Sequence, residues 1–125
     1  MRILVTGATG KVGSRLAKRL AQRGEHVRAL VRDSTRAADL RAADIELAQG
    51  DLLDETSLAA AVRGIDAVVH CAAFFRGATP EQAQRFTAAV RAAFARFCAS
   101  RTRLPRAPRR MLLSWSVGNR RSHWF

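Results

Sequence analysis

Gly7, Gly10 and Gly13 stand at equal spacing between an apolar run, Ile3-Leu4-Val5, and a helical pattern in which Val12, Leu16 and Leu20 recur. Strand, glycine-rich turn and helix in that order can hold a phosphate. Gly7 would let the chain turn sharply off the strand, Gly10 would leave room for a pyrophosphate to approach the backbone, and Gly13 would let the helix pack closely on the sheet. The N-terminus of that helix adds unpaired N–H groups and about half an elementary unit of positive charge. The same spacing also suits a plainer role, a tight strand-to-helix connection with no ligand.

Other reactive side chains are sparse. His70 closes an apolar run and reads as a packed, hydrogen-bonded residue rather than a general base, while His26 and His123 have no partner group that a sequence can show. Cys71 and Cys98 form no CxxC pair and have no His at ligand spacing, so they read as buried free thiols, with neither a disulfide framework nor a metal site. No run of about 18 apolar residues occurs, and Ile3 to Val5 is too short for a signal-peptide core. A cytoplasmic location is the expectation.

The elements that must position the turn come from the alternation of apolar patterns. At 125 residues and 48% apolar, the chain can form one domain with a modest core. Strands are expected at Arg2–Thr6, Val27–Val31, Ile45–Ala48 and Asp66–Cys71, and helices at Lys11–Arg23, Ser34–Ala43 and from Asp54. Gly24 stands where a left-handed residue commonly ends a helix. In the helix from Asp54, the residues Leu58, Ala61, Val62 and Ile65 make an apolar stripe. Thr79-Pro80-Glu81 starts another helix, with Phe86, Val90, Ala93, Phe94 and Phe97 close to one face as far as Cys98. The fold class is therefore α/β: a Rossmann-like open parallel sheet in order 3-2-1-4 with right-handed crossovers and helices on both faces. Residues 1–98 form the expected domain. Residues 99–125 hold an Arg-rich connection and a candidate fifth strand at Met111–Val117, and the strands that would normally cover the edge at strand 4 or 5 are missing, so a homodimer through that exposed sheet edge is an expectation.

Charge divides unevenly along the chain. Of the net +12, residues 1–85 carry 13 Lys and Arg against 10 Asp and Glu, whereas residues 86–125 carry 9 Arg with no Lys and no acid. Such a tail could neutralise phosphates of nucleic acid or an acidic membrane surface, or could be a compositional accident.

Three segments together carry a resemblance. Thr6-Gly7-Ala8-Thr9-Gly10-x-x-Gly13, then Gly50-Asp51-Leu52, then Val68-Val69-His70-Cys71-Ala72-Ala73 resemble the fingerprint of the extended and atypical short-chain dehydrogenase/reductase family, which includes NAD-dependent epimerase/dehydratases. The resemblance covers about residues 1 to 85. It implies that Thr6, Gly7, Thr9, Gly10, Lys11, Val12 and Gly13 hold the pyrophosphate, that Asp51 and Leu52 meet the adenine, and that Ala72 and Ala73 line the nicotinamide ribose. By register with the family, Val31 stands where NAD users carry Asp, and Arg32 follows. This favours NADP over NAD, with Arg32 on the 2′-phosphate and Arg36 or Lys11 assisting, although Asp33 would serve a ribose after a one-residue shift. Without the resemblance, Arg32 could be a solvated strand end and Asp51 a turn cap.

The family's chemistry needs a Tyr, a Lys four positions later and a Ser. This sequence has no Tyr, its lysines are Lys11 and Lys18, and Ser114 or Ser116 matches the family Ser at most. A phenol of pKa about 10 needs a nearby cation to act near neutral pH. No catalytic set can be assembled. Three readings follow: the cofactor half of an epimerase or reductase, truncated or shifted in frame near residue 86; a non-catalytic NADP-binding sensor or scaffold; and a Rossmann-like domain with a basic nucleic-acid tail at Arg101–Arg110. The third is disfavoured because no aromatic residues interleave those cations.

Overall fold

The computed structural model describes residues 1–71, 79–100 and 110–113. Five strands form one parallel sheet in the order β3-β2-β1-β4-β5. They are β1 (Arg2–Thr6), β2 (His26–Val31), β3 (Glu46–Gln49), β4 (Ala67–His70) and β5 (Arg110–Leu113). The fifth strand thus lies beside β4, pairing Val68 with Met111 and Val69 with Leu112. It begins one residue before the expected segment, whose later residues fall outside the described ones.

Alternation along the strands decides which helix covers which face. Ile3 and Val5 of β1, Val27, Ala29 and Val31 of β2, and Ala67 and Val69 of β4 share one cluster with α1 (Lys11–Gln22) and α2 (Ala38–Arg41). Leu4, Leu30 and Val68 point the other way, onto Leu58, Ala61, Val62 and Ile65 of the α3 segment and Ala93 of α4. Here α3 is Glu55–Ala61 and α4 is Pro80–Ser100. Both faces of β1 are therefore closed, as a central parallel strand requires. Full burial of a side chain such as Leu4 is worth about 1.5–3 kcal/mol.

The apolar stripe read for α3 is buried throughout. Two other expectations need correction. Val12 is 69% exposed, because the first turn of α1 sits over the Gly7–Ala8 turn rather than over the sheet. The buried side of that helix is formed by Gly13 and Ala17, flanked by Leu16 and Leu20. Cys71 is half-buried, since it leaves β4 at the open end of the sheet. The helix expected over 34–43 is a 3-10 turn, Ser34–Ala37, followed by α2; Asp33 caps it by accepting from Thr35 N–H at 2.9 Å. The fourth helix runs to Ser100, two residues beyond the expected end. Of its expected apolar face, Ala93 is buried, and the side chains of Phe86, Val90, Phe94 and Phe97 lie outside the described ones.

Arg28 of β2 binds three elements together. Its Nη1 donates to Ala61 O at 2.9 Å and Arg63 O at 2.8 Å, and its Nε donates to Glu46 of β3 at 2.8 Å. A planar fork can reach all three where an ammonium cannot. Arg28→Lys is expected to lower the unfolding free energy by about 1.5–3 kcal/mol, the worth of hydrogen bonds to a charged donor, as read by chemical denaturation. A loss below 0.5 kcal/mol on the ordinary scale of surface substitutions would show that these contacts do not hold α3.

Candidate dinucleotide site at the ends of the parallel strands

In an open α/β sheet, ligands sit outside the carboxyl ends of the strands, where the order reverses. Here the reversal lies between β1 and β4, and the turn after β1 stands beside it. Gly7 adopts φ 71°, a left-handed conformation that side chains disfavour, and its carbonyl accepts from Gly10 N–H at 3.0 Å. Gly10 is extended and caps α1 without a side chain, and the first turn holds no acid. The first-turn N–H groups thus carry the positive end of the helix dipole with no carboxylate competing from that turn.

Close packing fixes that turn. A Cβ on Gly13 would lie 2.8 Å from the carbonyl carbon of Gly7 and 3.0 Å from Ala8 Cα, and closer still to Gly7 O. One on Gly10 would meet Gly7 O at 3.3 Å. The requirement at Gly13 is therefore to dock the helix on its own turn, and Ala8, fully buried, completes that contact. Thr9, Gly10, Lys11 and Val12 are exposed around the helix start, Gly7 is half-buried and Thr6 is fully buried.

The Thr6 side chain has a partner across the sheet. Its Oγ1 lies 2.6 Å from Nδ1 of His70, its neighbour across the β1–β4 ladder. Burial pushes the His70 imidazole down to about 4, so the ring is neutral at physiological pH. That is the packed, hydrogen-bonded role expected of it.

At the end of β2, Arg32 is exposed. Asp33 beside it is engaged locally: its Oδ1 accepts from the Thr35 hydroxyl at 2.6 Å and from Thr35 N–H. These hydrogen bonds hold its carboxyl below the usual range. Asp51, after β3, is half-buried, and its Oδ1 accepts from Leu53 N–H at 2.8 Å, so it does cap a turn. Leu52 packs into the core below, whereas Leu53 is 67% exposed. Both line a cleft of about 350 Å³ together with Ala88, Ala89 and Ala92 of α4 and the ion-paired Glu55 and Arg96. Ala72, Ala73, Ser114 and Ser116 lie outside the described residues. Among the described residues, no group of three or more His, Cys, Asp or Glu could hold a metal ion, and no helix is long and apolar enough to cross a membrane.

The residues present suit a dinucleotide diphosphate: a side-chain-free cap, a helix start without acids, and a cradle that a Cβ would disturb. Gly50 was read only as part of the Gly50-Asp51-Leu52 segment and Ser57 drew no role from the sequence, yet the two touch. Their signal was a glycine directly after a strand with a serine in the first turn of the next helix.

Comparisons with known proteins agree with this geometry. The sequence model of the NAD(P)H-binding family matches residues 7–102. Sterol demethylase protein B of Methylococcus capsulatus is 45% identical over 74 residues, which is 59% of this chain and 23% of that protein. The NADPH-dependent quinone oxidoreductase of Escherichia coli, solved with NADPH, superposes with a TM-score of 0.64 at 26% identity, covering 78% of this chain and 33% of that one. A nucleoside-diphosphate-sugar epimerase from Pseudomonas aeruginosa gives a TM-score of 0.66 at 25% identity, over 90% of this chain and 32% of that one. The chain thus spans a third or less of each of these proteins. With a glycine cradle at the switch point, a parallel sheet of matching order and a family match over most of its length, the chain belongs to the NAD(P)H-binding family and is an NAD(P)-binding Rossmann-like domain related to NAD(P)-dependent reductases and epimerases.

Proposed function

We propose that the chain binds NADP(H) in preference to NAD(H), as the cofactor-holding part of a reductase or epimerase, and that it does not turn the cofactor over by itself. The observation that carries the preference is at the end of β2. Val31 closes the strand where a ribose-binding acid would stand, exposed Arg32 follows, and the carboxylate next in sequence, Asp33, is tied to Thr35. A cation there suits a 2′-phosphate, and a carboxylate tied into its own turn suits a ribose hydroxyl poorly.

In this reading the first turn of α1 holds the diphosphate, with Thr9, Gly10, Lys11, Val12 and Gly13 around it. Asp51 and Leu52 meet the adenine, and Ala72 and Ala73 lie by the nicotinamide ribose. The bound nicotinamide supplies a hydride. Lacking a Tyr, the chain has no phenol to supply the proton, so reduction or epimerisation requires groups from outside it. A cytoplasmic location belongs to the same proposal.

The test is a fluorescence titration of the purified chain with NADPH and NADH, beside Arg32→Ala. Loss of charge-assisted hydrogen bonds worth about 1.5–3 kcal/mol is expected to weaken NADPH about 10- to 100-fold and to leave NADH within about twofold. A wild-type chain that prefers NADH, or a variant that loses both nucleotides equally, would overturn the assignment of Arg32.

A further inference from the structure

We propose that Ser57 is a positioning residue for the adenine end of the site: its hydroxyl, seated against the bare Cα of Gly50, holds Asp51 at a set place relative to Arg32. The inference rests on the NADP reading above.

The contact is built from both sides. Gly50 N–H donates to Val31 O at 2.9 Å, which carries the β2–β3 pairing one residue past the strand and ties Gly50 to the residue just before Arg32. From the other side, Ser57 stands in the first turn of α3, whose start is held by Asp54: that carboxylate accepts from Thr56 N–H at 3.1 Å and Ser57 N–H at 3.2 Å. The Ser57 hydroxyl then accepts from Asp51 N–H at 3.1 Å and has two acceptors for its single proton, Asp54 O at 3.0 Å and Asp51 O at 3.2 Å.

Space enforces the same arrangement. A Cβ on Gly50 would stand 2.7 Å from both Cβ and Oγ of Ser57 and 3.1 Å from Leu30 Cδ1. Only a hydrogen fits between them. Backbone at 50 and side chain at 57 therefore form one unit, with the end of β2 on one side and the Asp51 turn on the other. Within that turn Asp51 Oδ1 is taken by Leu53 N–H, and Oδ2 has no hydrogen-bond partner among the described residues. An acceptor held in that way can discriminate a base edge that donates from one that does not. Adenine donates from its 6-position through the exocyclic amine, whereas hypoxanthine presents an acceptor carbonyl at that position and moves its donor to N1.

The experiment compares binding of NADPH with its hypoxanthine analogue by the purified chain and three variants, each checked for folding by circular dichroism. Wild type is expected to prefer the adenine form about tenfold. Ser57→Ala is expected to bring that ratio below about twofold while the protein stays folded. Gly50→Ala alone is expected to lower the unfolding midpoint, and adding Ser57→Gly to relieve the clash is expected to recover it. That double variant, lacking the hydroxyl, keeps the flat ratio. A merely structural serine would shift the midpoint and leave the ratio alone. An undiminished ratio in Ser57→Ala, or a wild-type ratio in the double variant, would overturn the assignment. Failure of the wild type to bind either nucleotide would remove the NADP reading itself, a result separable from the other two.

Discussion

Gly13→Ala is expected to weaken NADPH binding by about a hundredfold and to lower the unfolding free energy by about 1–3 kcal/mol. The added methyl meets Gly7 O, Gly7 C and Ala8 Cα, which are all backbone atoms. No side chain can swing aside. Either α1 lifts off the turn or the turn itself shifts, and the turn is the element whose N–H groups are proposed to hold the diphosphate. Overpacking against an unyielding wall accounts for the stability loss, and displacement of the helix start accounts for the lost affinity. Gly10→Ala makes the informative contrast. Its methyl would lie 3.3 Å from Gly7 O, a contact that a few tenths of an ångström relieve, so stability should change by less than about 1 kcal/mol while affinity still falls. Denaturant titration and cofactor fluorescence on the two variants separate the roles. If Gly13→Ala bound NADPH as well as wild type does, the turn would not be the phosphate cradle.

The contrast also shows which part of the site can be read from residue types. Gly7 and Gly13 were legible because each is needed by local backbone geometry, a positive φ in one and a docking surface in the other, whereas the place of Gly10 as the cap of α1 came from the structure. The strands were legible for a similar reason. Ile3, Leu4 and Val5 are apolar on both faces, which marks a buried parallel strand, and the stripe Leu58, Ala61, Val62 and Ile65 marks the α3 segment. Val12 misled because apolar periodicity does not say where the sheet beneath a helix stops. A helix whose first turn rests on its own connecting loop exposes the first member of the stripe.

What stayed hidden is tertiary. Thr6 and His70 are 64 positions apart and meet only because β1 and β4 are neighbours in the sheet. Arg28 reads as an ordinary strand cation until the carbonyls of Ala61 and Arg63 are seen to converge on it. Asp33 was ambiguous for a different reason. Its role turns on a competing local hydrogen bond to Thr35, and residue type permits both outcomes. The Gly50–Ser57 contact combines these difficulties, since it needs the end of β3 and the start of α3 to be placed together.

The second large effect concerns acid. Between pH 6.5 and 4 the unfolding free energy is expected to fall by about 3 kcal/mol on account of His70 alone, from an ordinary value of 6.5 brought down to about 4 at about 1.4 kcal/mol per unit. The sign follows from proton counting. In that window the unfolded chain binds a proton on His70 and the folded chain does not, so stability rises with pH, is complete above 6.5 and has been lost by about 4. Carboxylates contribute at lower pH. Asp39, held down by the Lys18 hydrogen bond, Asp33 by Thr35 and Glu81 by Thr79 all gain stability above their ordinary values near 4 and lose it below them, so they leave the upper window to His70. Replacing both members of the buried pair with apolar groups, Thr6→Val with His70→Leu, leaves neither with an unmet hydrogen bond to the other. It should therefore flatten the slope between pH 6.5 and 4. Thr6→Val alone keeps the imidazole buried and should keep the slope. Urea denaturation at half-unit pH steps reads all three proteins on one scale. An unchanged slope in the double variant would place the acid sensitivity elsewhere and would mean that His70 takes up its proton without unfolding the switch point between β1 and β4.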